Sequence, residues 1–357
     1  MSFFDNYDNL GKNTITSTRS DFTKSVGIEG TKDIIKSVLL GGNVRDVTEF
    51  ITQRRLLNSY AAMMKLFTED LGIAAESVAN YTDMVTAQLK KAKADEKVFD
   101  LWLLGLTKKG FDNIVRGKDN IDQYGDSFKY STQEAISDFN DQYGELSGTI
   151  KLGDRELNID WSLISLLFIA IGSQTLTIRG SSKSMNGKMF EKLVLGSILS
   201  IMGFEYFPEP PKNIVKSQKL FWLSNMDENE RETDATIVYN GIAISIDIGF
   251  IGRGNPEITL DKVTRFGAYK QIGGIKHDMS TIIIVDTVGE NSDLFNKAER
   301  VNGSVLQMKD PAWLLQFANL ICEKYSITHE LQTIELPNLP NYLDDVMHTI
   351  DIKRFFE

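Results

Sequence analysis

Two aspartates bracket the strongest hairpin signal in this sequence. Asn240-Gly241 is the dipeptide that favours a two-residue hairpin, because both central positions need positive φ. Asp234 lies six residues before Asn240, and Asp247 lies six after Gly241. Positions equally far from such a turn face each other, so the spacing makes the two carboxylates cross-strand neighbours, roughly 4.5–5.5 Å apart at Cβ. Like charges placed opposite each other destabilise a sheet. A divalent cation offsets that cost, and hard oxygen ligands favour Mg2+. The plainer alternative is a pair of polar residues on a solvated sheet face. Asp is disfavoured inside strands, which weighs against it.

The elements that must hold this pair are two strands, Thr233–Tyr239 and Ile242–Phe250. In the second, Ile242, Ile244, Ile246 and Ile248 share one face, and Ala243, Ser245, Asp247 and Gly249 the other. Upstream, Lys188–Met202 reads as an amphipathic helix closed by Gly203. Its buried stripe runs through Phe190, Leu193, Val194, Ile198 and Ile201, with Glu191 at the edge. A glutamate there is, taken alone, more often a solvated charge. Trp161–Ile171 reads as a separate apolar helix, followed by a polar segment from Arg179 to Gly187. Beyond the hairpin the pattern predicts a helix over 260–271, a buried strand over 280–288, a helix over 293–300, a short strand over 304–308 and a helix over 311–325. The fold class is therefore α/β, a mixed sheet flanked by helices, behind a mostly helical N-terminal domain.

A helix carrying Glu191, a strand carrying Asp234 and a hairpin strand carrying Asp247 resemble the PD-(D/E)XK nuclease superfamily. More narrowly, GSSKSMNGKMFEKLVLGSILSIMGF followed by ETDATIVYNGIAISIDIGFIGRGNPEITLDKVTRF looks like the type II restriction endonucleases of the CfrBI type. The resemblance covers residues 179–266. It implies a restriction-endonuclease-like core, with Asp234 and Asp247 at the two acidic strand positions and Glu191 as the helical acid beside the metal. Thr233 stands where the motif has proline, and Gly249 where it has lysine. Lys262 is the replacement named for that lysine, with Arg253 as second choice. Bound Mg2+ would activate water and neutralise charge on a phosphodiester, and Lys262 would position or deprotonate that water or stabilise the phosphate.

Arg179, Lys183 and Lys188 stand among small polar residues and could line a DNA cleft. Arg253, in the glycine-rich stretch Gly249–Asn255, could meet a phosphate or a guanine edge. That stretch is not a dinucleotide fingerprint, and a flexible loop is its plainer reading. Lys212, Lys216 and Lys219 read as a solvated face.

The chain has 357 residues, which predicts two domains, placed at 1–155 and 156–357. Its 39 basic and 49 acidic residues give a net charge of −10, mild evidence against a nucleic-acid partner but no veto. One cysteine, Cys322, forms neither an internal disulfide nor a ligand pair, which fits a reducing compartment. The N-terminus has no signal-peptide pattern, and the longest apolar run, Leu163–Ile171, is far short of the roughly 18–20 residues a membrane span needs. The first 20 residues read as a loosely packed arm, and 116–148 as polar chain with short helical stretches.

The expected function is site-specific, Mg2+-dependent cleavage of double-stranded DNA at a short, palindromic site by a cytoplasmic homodimer, with a companion methyltransferase protecting the same site. The N-terminal domain would supply recognition or dimer contacts. Two alternatives stay open: a DNA-binding protein on the same fold that has lost cleavage, which Gly249 keeps alive, and a metal-dependent hydrolase or binding module for a small ligand, which the acidic charge suits.

Overall fold

Apolar residues spaced three and four apart make the N-terminal half helical, as the pattern predicts. The computed structural model describes residues 2–15, 23, 26–224, 233–249, 269–272, 275–288 and 303–356. The helices used below are α1 (Phe3–Asn6), α2 (Asn9–Ile15), α3 (Ile28–Leu39), α4 (Val44–Leu66), α5 (Val78–Leu89), α6 (Ala94–Leu103) and α7 (Ile121–Tyr143). A hairpin of β1 (Gly148–Leu152) and β2 (Arg155–Ile159) follows, then a single long helix, α8 (Trp161–Ile201).

The chain divides into two compact units, residues 1–18 with 49–184, and 19–48 with 185–357. The division falls inside α8, and β2 and the first turns of α8 bury Leu157, Leu163, Leu166 and Ala170 in the first core. That core also holds Tyr7, Met63, Phe67, Tyr81, Phe99 and Trp102. A methyl added at Gly72 would lie 2.3 Å from the Leu157 side chain, so the hairpin presses directly on the helices.

Three expectations change here. Residues 3–15 are not a loose arm. Tyr7 is 1% exposed, and its hydroxyl accepts a hydrogen bond from Gln174 at 2.8 Å. Residues 121–143 form one 23-residue helix, of which Ile121, Gly125 and Thr132 are the buried positions. Its apolar stripe is sparse among charges, so the periodicity is easily read as loop. Third, α8 runs for 41 residues through Arg179–Gly187 without a break. Gly180 and Gly187 each cost about 1 kcal/mol of helix propensity, but the segment has no proline. Ile178, Met189 and Phe190 are fully buried on either side. By length and composition α8 could cross a membrane; in the structure its Leu163, Leu166, Leu167, Ala170 and Ile178 are buried, while Phe168 and Leu176 are exposed.

The second unit is built on a mixed sheet: β3 (Glu205–Tyr206), β4 (Leu220–Leu223), β5 (Ala235–Tyr239), β6 (Ile242–Gly249), β7 (Tyr269–Ile272), β8 (Ile275–Val285) and β9 (Gly303–Gln307). The order is β3-β4-β5-β6-β8-β7, with β9 also pairing β8. β4, β5 and β6 run antiparallel in turn, while β6 pairs β8 parallel and β8 pairs β9 parallel. Tyr269–Gln271, expected at the end of a helix, form β7 against the start of β8. The rest of that helix and the one over 293–300 lie outside the described residues. Helices α9 (Trp313–Tyr325) and α10 (Leu339–Met347) complete the unit.

One sheet face is covered by helix and C-terminal chain. Phe355 packs edge-on against Tyr206 and tilted against Phe221, and a methyl at Gly196 of α8 would lie 2.6 Å from its ring. Tyr239 packs edge-on against Tyr325 of α9. α3 belongs to this unit through an ion pair from Lys36 to Asp344 and a 2.9 Å bond from the Trp313 indole to the Val38 carbonyl. The opposite face carries Leu220 and Trp222, Val238, and Ala243, clustered with Ile214 and Ile272.

Candidate active site

The Asn240-Gly241 turn sets the register of the whole site. Its two residues have φ of 49° and 81°, the pair of positive values that a tight right-twisted hairpin needs. Tyr239 therefore pairs with Ile242, and the ladder runs back to Ala235 opposite Ile246. The ladder ends there, with Asp234 one residue before it and Asp247 one residue beyond Ile246, the two positions that the count from the turn sets against each other.

The two carboxylates differ in environment. Asp247 is inside β6, one residue beyond the end of the β5 ladder and paired with Ile283 of β8, and only 3% exposed. Asp234 sits in a bend just before β5 and is half-buried. Its Oδ2 accepts a hydrogen bond from the Ile248 backbone N–H at 2.8 Å, so this side chain reaches one residue past its partner. Its own carbonyl accepts from the Ser224 N–H at 3.1 Å, which ties the bend to the end of β4.

Below the acidic row lies a row of hydroxyls. Thr236 pairs with Ser245, and Ser245 with Thr281; they are 5%, 3% and 1% exposed. Thr233 and Thr236 also bond to each other, Oγ1 to Oγ1 at 3.1 Å. The sequence reading passed over these threonines and the Ile248 N–H. Two threonines three apart, straddling an aspartate at a strand mouth, were the available signal.

Glu191 is half-buried on α8, one helical turn after the exposed Lys188. Among the described residues no three His, Cys, Asp or Glu side chains gather into a metal-holding group, so Glu191 is not joined to the aspartate pair in this arrangement. Two opposed carboxylates are nevertheless a hard oxygen donor set that fits a divalent cation. Gly249 ends β6 opposite Val285. Lys262 and Arg253 lie outside the described residues, as does the side chain of Lys183. Arg179 makes an ion pair with Glu49 at 2.9 Å, both side chains about half exposed. Lys219 of the second basic cluster lies over the rings of Phe204 and Tyr239, which accounts for it structurally.

The CfrBI restriction endonuclease family matches residues 28–293 of this chain. The type II restriction enzyme CfrBI of Citrobacter freundii is 36% identical over 346 residues, which is 95% of this chain and 94% of that protein. No solved structure matches.

Proposed function

Because the chain belongs to the CfrBI restriction endonuclease family, we propose that Asp234 and Asp247 are the metal-holding carboxylates with which it cuts DNA. It is a site-specific deoxyribonuclease of a restriction system, and enzymes of this kind use a divalent metal. Similarity over 95% of the chain displaces the small-ligand alternative. The observation that supports the site assignment is the bond to the Asp234 carboxylate from the N–H of Ile248, the residue next to the 3%-exposed Asp247.

Mg2+ is the cation we assign to the pair. When bound it supplies positive charge to the scissile phosphate and lowers the pKa of a water beside it. The chain's own residues do the rest. Asp247 is held by pairing to β8, opposite Ile283, and is 3% exposed. Asp234 is aimed by the Ile248 N–H. Glu191 is the proposed third carboxylate, brought in from α8. Lys262 is the proposed basic group, taking a proton from the attacking water or stabilising phosphate charge, in place of a lysine at Gly249.

Lys188, Lys183, Arg179 and Arg253 are the proposed DNA contacts. Arg179 would exchange Glu49 for a phosphate on binding. We assign recognition or dimer contacts to residues 1–155 and catalysis to 156–357. The proposed substrate is a short palindromic site in double-stranded DNA, which a two-fold homodimer matches. A methyltransferase that protects the same site is the expected companion, and the cytoplasm the expected compartment.

The test is to digest several unmethylated DNAs with the purified protein and Mg2+, then sequence the fragment ends. Discrete fragments sharing one terminal sequence support the reading. Intact DNA on every substrate, or a random smear, contradicts it.

A further inference from the structure

The position before Asp234 holds Thr233, whose backbone is free to rotate where a proline would be fixed. Asp234 also lies one residue outside the β5–β6 ladder, which ends at Ala235 opposite Ile246. Strand pairing therefore does not hold its backbone. Its carbonyl accepts from the Ser224 N–H and its carboxylate from the Ile248 N–H.

We propose that the hydroxyl bond between Thr233 and Thr236 is the positioning device for Asp234. The inference rests on the metal-site reading above. The bond closes a ring across the bend, from the residue before Asp234 to the second residue after it, at 3.1 Å. Thr236 is 5% exposed, so its hydroxyl is costly to leave unbonded, and Thr233 is the partner it finds. Thr236 is also locked by the sheet, opposite Ser245. Thr233 thus borrows the rigidity of β5, and the backbone torsions on either side of Asp234 are limited by a side-chain tether. The threonines do not touch the cation in this account. They steady the backbone from which the carboxylate that does so reaches the Ile248 N–H.

Valine has nearly the shape of threonine and is favoured in strands, so Thr236→Val and Thr233→Val remove the tether while filling the same space. The measurement is Mn2+ affinity of the full chain without DNA, read from the EPR signal of free Mn2+. Each single variant is expected to weaken Mn2+ binding about 3- to 10-fold, the span of one lost hydrogen bond. The double variant should be no weaker than either single one, because one bond is lost in all three. Thr236→Ser restores the hydroxyl and should restore the affinity. Unchanged Mn2+ affinity in both valine variants, alongside lost affinity in Asp234→Asn, overturns the positioning role alone. Undiminished affinity in Asp234→Asn overturns the metal-site reading and this inference with it. Because Thr233 is the less buried of the two, its variant keeps the test available if Thr236→Val misfolds.

Discussion

The carboxylate of Asp234 accepts a hydrogen bond from the backbone N–H of Ile248, the residue immediately after Asp247, at 2.8 Å. One acid is thereby aimed by the strand that carries the other. On the proposed reading, a cation bound by both acids offsets the repulsion between them. A ligand that binds only the folded state stabilises it by mass action, by about 2.7 kcal/mol at 100 times Kd. Mg2+ titrated into the DNA-free protein should therefore raise the Tm of the wild type. It should leave Asp234→Asn and Asp247→Asn unmoved. Equal shifts in all three would place the cation elsewhere.

Gly241 is the pivot of the register. Its φ is 81°, and a side chain there would meet open space, so a substitution is penalised by backbone conformation and not by collision. Gly241→Val should destabilise the second unit by about 1–2 kcal/mol, the cost of forcing a branched residue into the left-handed region. Cleavage should fall further than stability alone explains, because a slipped register moves Asp247 to the other sheet face. Denaturant unfolding and cleavage rate, measured together, check this. A stable variant of wild-type activity would show that the turn does not set the site.

How much of this was legible in the sequence varied with the physics involved. The Asn240-Gly241 turn is local, so counting outward from it gave the register from Tyr239–Ile242 to Ala235–Ile246, one step short of Asp234 and Asp247. The mixed sheet and its buried Ile282–Ile284 strand were legible from alternation and apolar runs. α8 was read as two helices because Gly180 and Gly187 are weak helix formers, and burial further along the helix overrode them. α7 was missed for the opposite reason, since a mostly exposed helix leaves little apolar signal. Gly196 carries no local message at all. Its need for small size arises from Phe355, far away in sequence. The aim of the Asp234 carboxylate depends on a backbone N–H, which no residue type announces.

Asp100 supplies a pH dependence outside the site. It is fully buried in α6, neither carboxylate oxygen has a hydrogen-bond partner among the described residues, and burial, helped by Glu96, pushes its pKa up to about 8. In the unfolded chain it titrates in the ordinary carboxylate range, so between that range and about 8 the folded state holds the extra proton. Stability must then fall as pH rises across that window, by at most about 1.4 kcal/mol per pH unit, and level off above it. Asp100→Asn should flatten the pH dependence and be the more stable protein at pH 8. Thermal unfolding of both from pH 6 to 9 decides the matter. Parallel curves would mean that Asp100 does not carry the effect.

Lys188 is exposed one turn before Glu191 and is assigned to a DNA phosphate. A phosphate contact is indifferent to sequence and depends on counterion release. Lys188→Ala should weaken binding to cognate and non-cognate DNA alike, and reduce the slope of log K against log salt by about 1. An unchanged slope, or loss confined to the cognate site, would remove Lys188 from the phosphate contacts.

The central claim is that Asp234 and Asp247 together enable cleavage. The most direct measurement is plasmid digestion with Mg2+ by wild type, Asp234→Asn and Asp247→Asn, alongside site-specific DNA binding by all three with Ca2+ in place of Mg2+. The account predicts discrete fragments from the wild type alone, with the two variants still bound to the same site. Cleavage by either variant at a rate near that of the wild type would contradict it.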